Sequence, residues 1–177
     1  MTGTMPEFSR CFSLDTIGTV PRSVSISATE AECAALAQRF GLVSLANLAA
    51  TATLIIRGDA ISAQGRFTAD VVQSCTASGD DVPAQFDEAV SIRFVAILAE
   101  DVATDEIELL ADDCDTVDHD GQSVDLGEAI AQTLGLSLDS FPRSPVAAKV
   151  LKEAGVLSED EVETGPFAGL KGLLGKS

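Results

Sequence analysis

Ile61-Ser62-Ala63-Gln64-Gly65-Arg66-Phe67-Thr68-Ala69-Asp70-Val71-Val72-Gln73-Ser74-Cys75 decides the fold. Ile61, Ala63, Gly65, Phe67, Ala69, Val71, Gln73 and Cys75 fall on one face. Ser62, Gln64, Arg66, Thr68 and Asp70 fall on the other. Strict alternation over so long a run is the signature of a half-buried strand. The stretch before it has the same period: Leu48, Ala50, Ala52, Leu54 and Ile56 share a face, with Thr51, Thr53 and Arg57 opposite. Arg57-Gly58-Asp59 lies between the two, so the pair reads as a hairpin. After the turn at Ser78-Gly79-Asp80-Asp81, with Pro83 limiting pairing nearby, Val90, Ile92, Phe94, Ala96 and Leu98 alternate in a third strand. Three meandering strands with one apolar face need a cover or must curl toward a barrel.

Upstream, Phe8, Phe12 and Leu14 suggest a strand over Glu7–Leu14, and Val24 and Ile26 mark a second one over Ser23–Ser27. Thr29 to Phe40 reads as a helix. Thr29 and Glu32 form a capping-box pattern, Cys33, Leu36, Ala37 and Phe40 share a face, and Gly41 ends it. Downstream, Ser123 is the expected N-cap of a helix carrying Leu126, Ile130 and Leu134. Phe141-Pro142-Arg143-Ser144-Pro145 ends that helix, and Val146–Ala154 is a short helical segment. The expected class is α+β. A central antiparallel, barrel-like sheet of five to seven strands carries one N-terminal-half helix and C-terminal helices. Residues 1–155 are expected to form a single domain. Residues 156–177 are read as an acidic, flexible linker followed by a short apolar docking tail, in which Phe167, Leu170, Leu173 and Leu174 share a helical stripe.

The chain has 177 residues and a net charge of −17. The charge is concentrated. Residues 1–99 hold 10 acids and 6 bases, whereas residues 100–165 hold 18 acids and 3 bases. Between Glu100 and Asp120 there are ten acids and no Lys or Arg. Such a field repels phosphates, whose affinity comes from Lys and Arg displacing counterions, and it steers basic partners inward. Asp112, Asp113, Asp115, Asp118, Asp120 and Asp125 are therefore candidate contacts for a basic protein, with the tail residues Phe167, Leu170, Leu173 and Leu174 docking in an apolar groove. The alternative, direct RNA binding, would rest on the strand residues Arg57, Arg66 and Arg93. With no Trp or Tyr to stack on bases, these make a poor RNA surface.

Catalytic signatures are absent from the sequence. No nucleophile has a sequence-apparent base, and there is no Gly-rich phosphate loop. His119, the single histidine, lies between Asp118 and Asp120 and reads as a surface residue of an acidic loop. A Ca²⁺ loop fails on spacing. With Gly121 as the loop glycine, the first ligand falls on Thr116 and the closing one on Gly127, so Glu128 is off by one. No zinc site is expected from Cys11, Cys33, Cys75 and Cys114, which lack a CxxC pair and read as free thiols; no metal or cofactor is expected. Cys75, on the apolar face of its strand, should be buried and inert. A small-ligand or metal-binding barrel is the remaining alternative. Met1–Arg10 has no secretory pattern, and the uncharged stretch Gly41–Ile56 is too short to span a bilayer. A monomeric cytoplasmic protein is expected.

Phe67–Cys75, Pro83, Val124-Asp125-Leu126-Gly127-Glu128, Leu136–Arg143 and Gly165–Leu170, taken in order, resemble the YceD family over about Ser9 to Leu174. Members of that family are called large ribosomal RNA subunit accumulation proteins. The resemblance implies a cytoplasmic factor needed for synthesis, processing or stability of the large-subunit (23S) rRNA. With the acidic charge and the absence of catalytic signatures, the expectation is a non-enzymatic ribosome-biogenesis factor whose partner is a basic protein such as a ribosomal protein or an rRNA-processing enzyme, with RNA contacted indirectly. Many members carry Cys-x-Arg-Cys. Here Cys75 matches the first Cys, while Ala77 and Ser78 stand where the Arg and the second Cys would be.

Overall fold

The computed structural model describes residues 6–97 and 115–156. The chain runs β1 (Cys11–Ser13), β2 (Arg22–Ser27), α1 (Glu30–Phe40), β3 (Ser44–Arg57), β4 (Ala60–Ser74), β5 (Asp81–Ala96), β6 (Asp115–His119), β7 (Ser123–Asp125), α2 (Leu126–Ser137) and α3 (Ala147–Glu153). Five strands form one sheet in the order β2-β3-β4-β5-β6, and β1 pairs with β7 in a second, two-stranded sheet. The chain divides into two compact units, Met1–Gln73 with Pro83–Ser140 and Ser74–Val82 with Phe141–Ser177.

The fold is α+β, as its periodicity predicts. The five-stranded sheet, however, is open among the described residues, with β2 and β6 at its edges, and does not close into a barrel. It is also not wholly antiparallel: β5 and β6 run parallel, from Ile92↔Asp115 to Ala96↔His119. The acid of 115–120 conceals this strand. Its alternation places Val117 and His119 inward and leaves Thr116 and Asp118 exposed.

The hairpin β3–β4 holds register from Arg57↔Ala60 back to Ala49↔Thr68. The register then slips, and Ala46 pairs with Asp70. Asn47 and Leu48 thus oppose one residue, which is a β-bulge. Asn47 adopts φ 54°, a left-handed conformation that Asn tolerates better than most side chains. Its Nδ2 donates to Asp70 Oδ2 at 2.6 Å. The bulge resets the alternation, so Leu45 and Leu48 are both buried although they are three positions apart.

Helix α1 forms where its capping box predicts. Thr29 Oγ1 accepts from the Glu32 N–H at 3.3 Å, and Glu32 Oε2 accepts from the Thr29 N–H at 2.7 Å. Gly41, at φ 65°, closes the helix. Helix α2 starts later than Ser123 suggests. Residues Ser123–Asp125 are strand β7, and Asp125 is the N-cap. The first strand is likewise shorter than Glu7–Leu14, because Phe8 is fully buried and the segment becomes extended only at Cys11. One core joins Leu36 of α1, Leu54, Phe67, Ile92 and Phe94 of the sheet, and Leu126, Ile130 and Leu134 of α2, all almost wholly buried.

Candidate functional site

The segment Val124-Asp125-Leu126-Gly127-Glu128 is a fastening for the N-terminal residues. Val124 is fully buried and pairs with Phe12 across β1–β7. Asp125 spends both carboxylate oxygens inside the protein. Oδ1 accepts from the Arg10 N–H at 2.8 Å and the Glu128 N–H at 3.1 Å, and Oδ2 accepts from Ser9 Oγ at 2.6 Å. Leu126 N–H donates to Arg10 C=O at 3.1 Å. Gly127 passes so close that a Cβ there would sit 2.6 Å from the Phe8 carbonyl oxygen. Glu128 receives a two-pronged pair from Arg39 at 2.8 and 2.9 Å. These contacts, with Glu7 beside Arg39, raise the Arg39 pKa above its usual range. Arg10 forks onto Glu32 at 2.7 and 2.8 Å. That pair, followed by the Thr29 backbone N–H, holds the Glu32 carboxyl down to about 2. Asp125 thus has partners within the fold for both carboxylate oxygens. Ser9, Arg10 and Arg39 carry no motif of their own, and the N-cap expected at Ser123 gave no signal that Asp125 meets them.

The acidic candidates separate. Asp112, Asp113 and the side chain of Asp115 lie outside the described residues, as do Phe167, Leu170, Leu173 and Leu174. Asp118 is exposed on β6. Asp120 Oδ1 accepts from the Gln122 N–H at 2.8 Å and the Ser123 N–H at 3.0 Å, and these two bonds lower its pKa. His119, read as a surface residue, is buried at 7% exposure, and its Nδ1 accepts from the Gly121 N–H at 3.0 Å. It is the inward residue of a strand, and its flanking acids hid that.

The arginines lie on the polar side of the sheet without forming a cationic patch. Arg66 donates to Asp87 Oδ1 at 2.9 Å and to the Asp87 carbonyl at 2.8 Å. Arg93 stands 3.7 Å from Asp59. Asp87 and Arg93 are six residues apart on one strand, roughly 20 Å, so the two pairs are well separated. Arg57 is exposed at the end of β3. Ser25, Ser27, Thr51 and Thr68 line a shallow hollow of about 440 Å³ beside the Arg66–Asp87 pair. This face offers hydroxyls and neutralised charge, a weak lure for phosphate.

In the second unit, Cys75 is buried at 4% exposure, as its place in the alternation predicts. Its Sγ accepts from the Ser144 N–H at 3.2 Å and the Ser78 N–H at 3.4 Å. The hydroxyls of Ser78, standing where a second Cys would be, and Ser144 lie 3.0 Å apart and 2.6 and 3.1 Å from Asp80 Oδ2, and with one proton each they make two of these three contacts as hydrogen bonds at a time. The Ser144 backbone bond foremost, then Ser78, holds the thiol down to about 6 against the opposing push of burial. The thiolate ultraviolet absorbance of the folded chain should therefore rise with a midpoint near pH 6, and Cys75→Ser should remove that step. A first thiol step only near the ordinary value of 9.0 refutes the assignment. The folded value lies below the unfolded one, so the stabilisation is fully present above the unfolded value and is lost as pH falls through the folded one. Among the described residues, no cluster of three His, Cys, Asp or Glu side chains is arranged to hold a metal ion. No described helix is long and apolar enough to cross a membrane.

The family model described as large ribosomal RNA subunit accumulation protein YceD matches residues 63–174. No curated protein and no solved structure matches the chain.

Proposed function

Since the chain belongs to the family of large ribosomal RNA subunit accumulation proteins, YceD, we propose that it is a non-enzymatic cytoplasmic ribosome-biogenesis factor acting on the large-subunit rRNA through a basic protein partner. Family membership carries the rRNA role. The charge supports the partner type: 18 acids against 3 bases over residues 100–165 favour association with a ribosomal protein or a processing enzyme and disfavour direct phosphate contact. The Arg66–Asp87 and Arg93–Asp59 pairs agree with this, because each sets an acid against a base that RNA would need. Asp112, Asp113, Asp115, Asp118, Asp120 and Asp125 are the proposed contacts, with Phe167, Leu170, Leu173 and Leu174 as the docking tail.

A lysate pull-down at low and high salt, comparing the full chain with one ending at Thr164, tests the reading. The expected result is recovery of ribosomal proteins or an rRNA-processing enzyme that falls at least tenfold with salt and is weakened by the truncation. Recovery of rRNA that survives proteolysis of the co-purifying proteins would instead establish direct RNA binding.

A further inference from the structure

Strand β2 is much shorter than the strand it pairs with. Its six residues cover β3 only from Leu54, opposite Arg22, to Ala49, opposite Ser27. The Ala28 N–H makes one more bond, to the Leu48 carbonyl at 2.9 Å, and the chain then turns into α1. β3 continues to Ser44, and among the described residues it is paired there with β4 alone. Residues 44–47 are thus an edge inside the sheet order, where alternate backbone groups point away from β4. Globular proteins usually blunt such an edge with Lys or Pro. Val43-Ser44-Leu45-Ala46 has neither, and Val43, a large apolar residue, is 52% exposed.

A groove of about 530 Å³ runs along this edge. One wall is α1, with Cys33, Ala34 and Ala37; the other is Val43, Leu45 and Ala46. Between Glu30 and Gln38 of the α1 wall, the small side chains of Ala34 and Ala37 leave room for an incoming side chain. Asn47, at the bulge, also lines it. Among the described residues, Glu30 is the charged residue lining it, and no Lys or Arg does.

We propose that this groove is a strand-addition slot: an extended cationic peptide segment of a partner pairs with the β3 edge at Ser44–Asn47 and lays an apolar side chain against Ala34 and Ala37. Three observations select this occupant. The edge offers main-chain donors and acceptors, which an extended chain can use and a helix cannot. The lining includes the small apolar side chains of Ala34, Ala37 and Ala46. Among the described residues the lining charge is negative, within a chain of net −17. The inference rests on the basic-partner reading above and gives it a place of contact on the folded domain.

The test is an amide-resolved NMR titration of the full chain at low salt with the heptapeptide Lys-Val-Lys-Val-Lys-Val-Lys, blocked at both ends. A parallel titration uses the same peptide N-methylated at alternate residues, in both frames. The amides of residues 43–47 should shift and gain exchange protection, and one N-methylated frame should bind at least tenfold more weakly. Ala34→Trp, at an exposed position, should plug the groove and weaken binding at least tenfold with the circular dichroism unchanged. Equal binding of both N-methylated peptides, shifts confined to other residues, or no binding overturns the slot. Repeating the lysate pull-down with Ala34→Trp separates the two levels. If wild type and variant recover the same basic proteins equally, the slot is wrong and the partner reading stands. If neither recovers a basic protein, the partner reading itself falls.

Discussion

Gly65→Ala is expected to destabilise the protein by about 3 kcal/mol, near the upper end for overpacking. Gly65 lies mid-strand in β4, opposite Ala52 of β3. A Cβ built there would stand 1.9 Å from the Thr51 carbonyl oxygen and 2.7 Å from the Ala52 Cα. Both obstacles are backbone, and backbone of the paired strand, so no rotamer change relieves them. The hairpin must open locally, next to Phe67 and Leu54, which are both fully buried. Glycine inside a strand normally weakens it; here it permits a close approach that no other residue allows. A urea melt followed by far-ultraviolet circular dichroism should show the midpoint fall by roughly 1–2 M at an ordinary m-value. A midpoint within about 0.3 M of wild type would show that the sheet absorbs the methyl group and that the approach is not constrained.

Asp125→Ala should cost nearly as much, about 2–3 kcal/mol, by a different route. The substitution removes the N-cap of α2 and leaves the Arg10 N–H and Ser9 hydroxyl without their acceptor. Asp125→Asn keeps one oxygen for the cap and the Arg10 N–H but loses the charge and the second acceptor, so it should recover about half of the loss. Amide exchange separates this fastening from general destabilisation. Arg10 and Glu128 should lose protection in Asp125→Ala beyond the global change, while α1 amides follow the global change alone. Uniform loss across all amides would refute a local fastening.

The parts of the fold legible in the sequence are those where one physical signal dominates. Apolar alternation gives β3, β4 and the buried half of β5, and the Thr29–Glu32 reciprocity gives the start of α1. Strand β6 is illegible because charge and period conflict. Asp115, Asp118 and Asp120 look like solvent, although His119 and Val117 between them turn inward. The N-cap is misplaced by two residues because Ser123 and Asp125 are both good caps, and only the strand partner of Ser123, which is Ser13, decides between them. The partners of Asp125, Ser9 and Arg10, lie 116 and 115 residues away, so no local pattern announces them. The groove beside α1 left no motif, since it arises from unequal strand lengths.

The fastening also fixes an order of events at synthesis. Ser9 and Asp125, which share a 2.6 Å hydrogen bond, are separated by 116 residues. At ordinary elongation rates of roughly 5–20 residues per second, about 6–23 s pass between making the first and making the second. Throughout that interval Phe8, fully buried in the finished protein, has no α2 to cover it. Phe8 is therefore an aromatic anchor whose helical partner arrives only after both halves of the β3–β4 hairpin have been made.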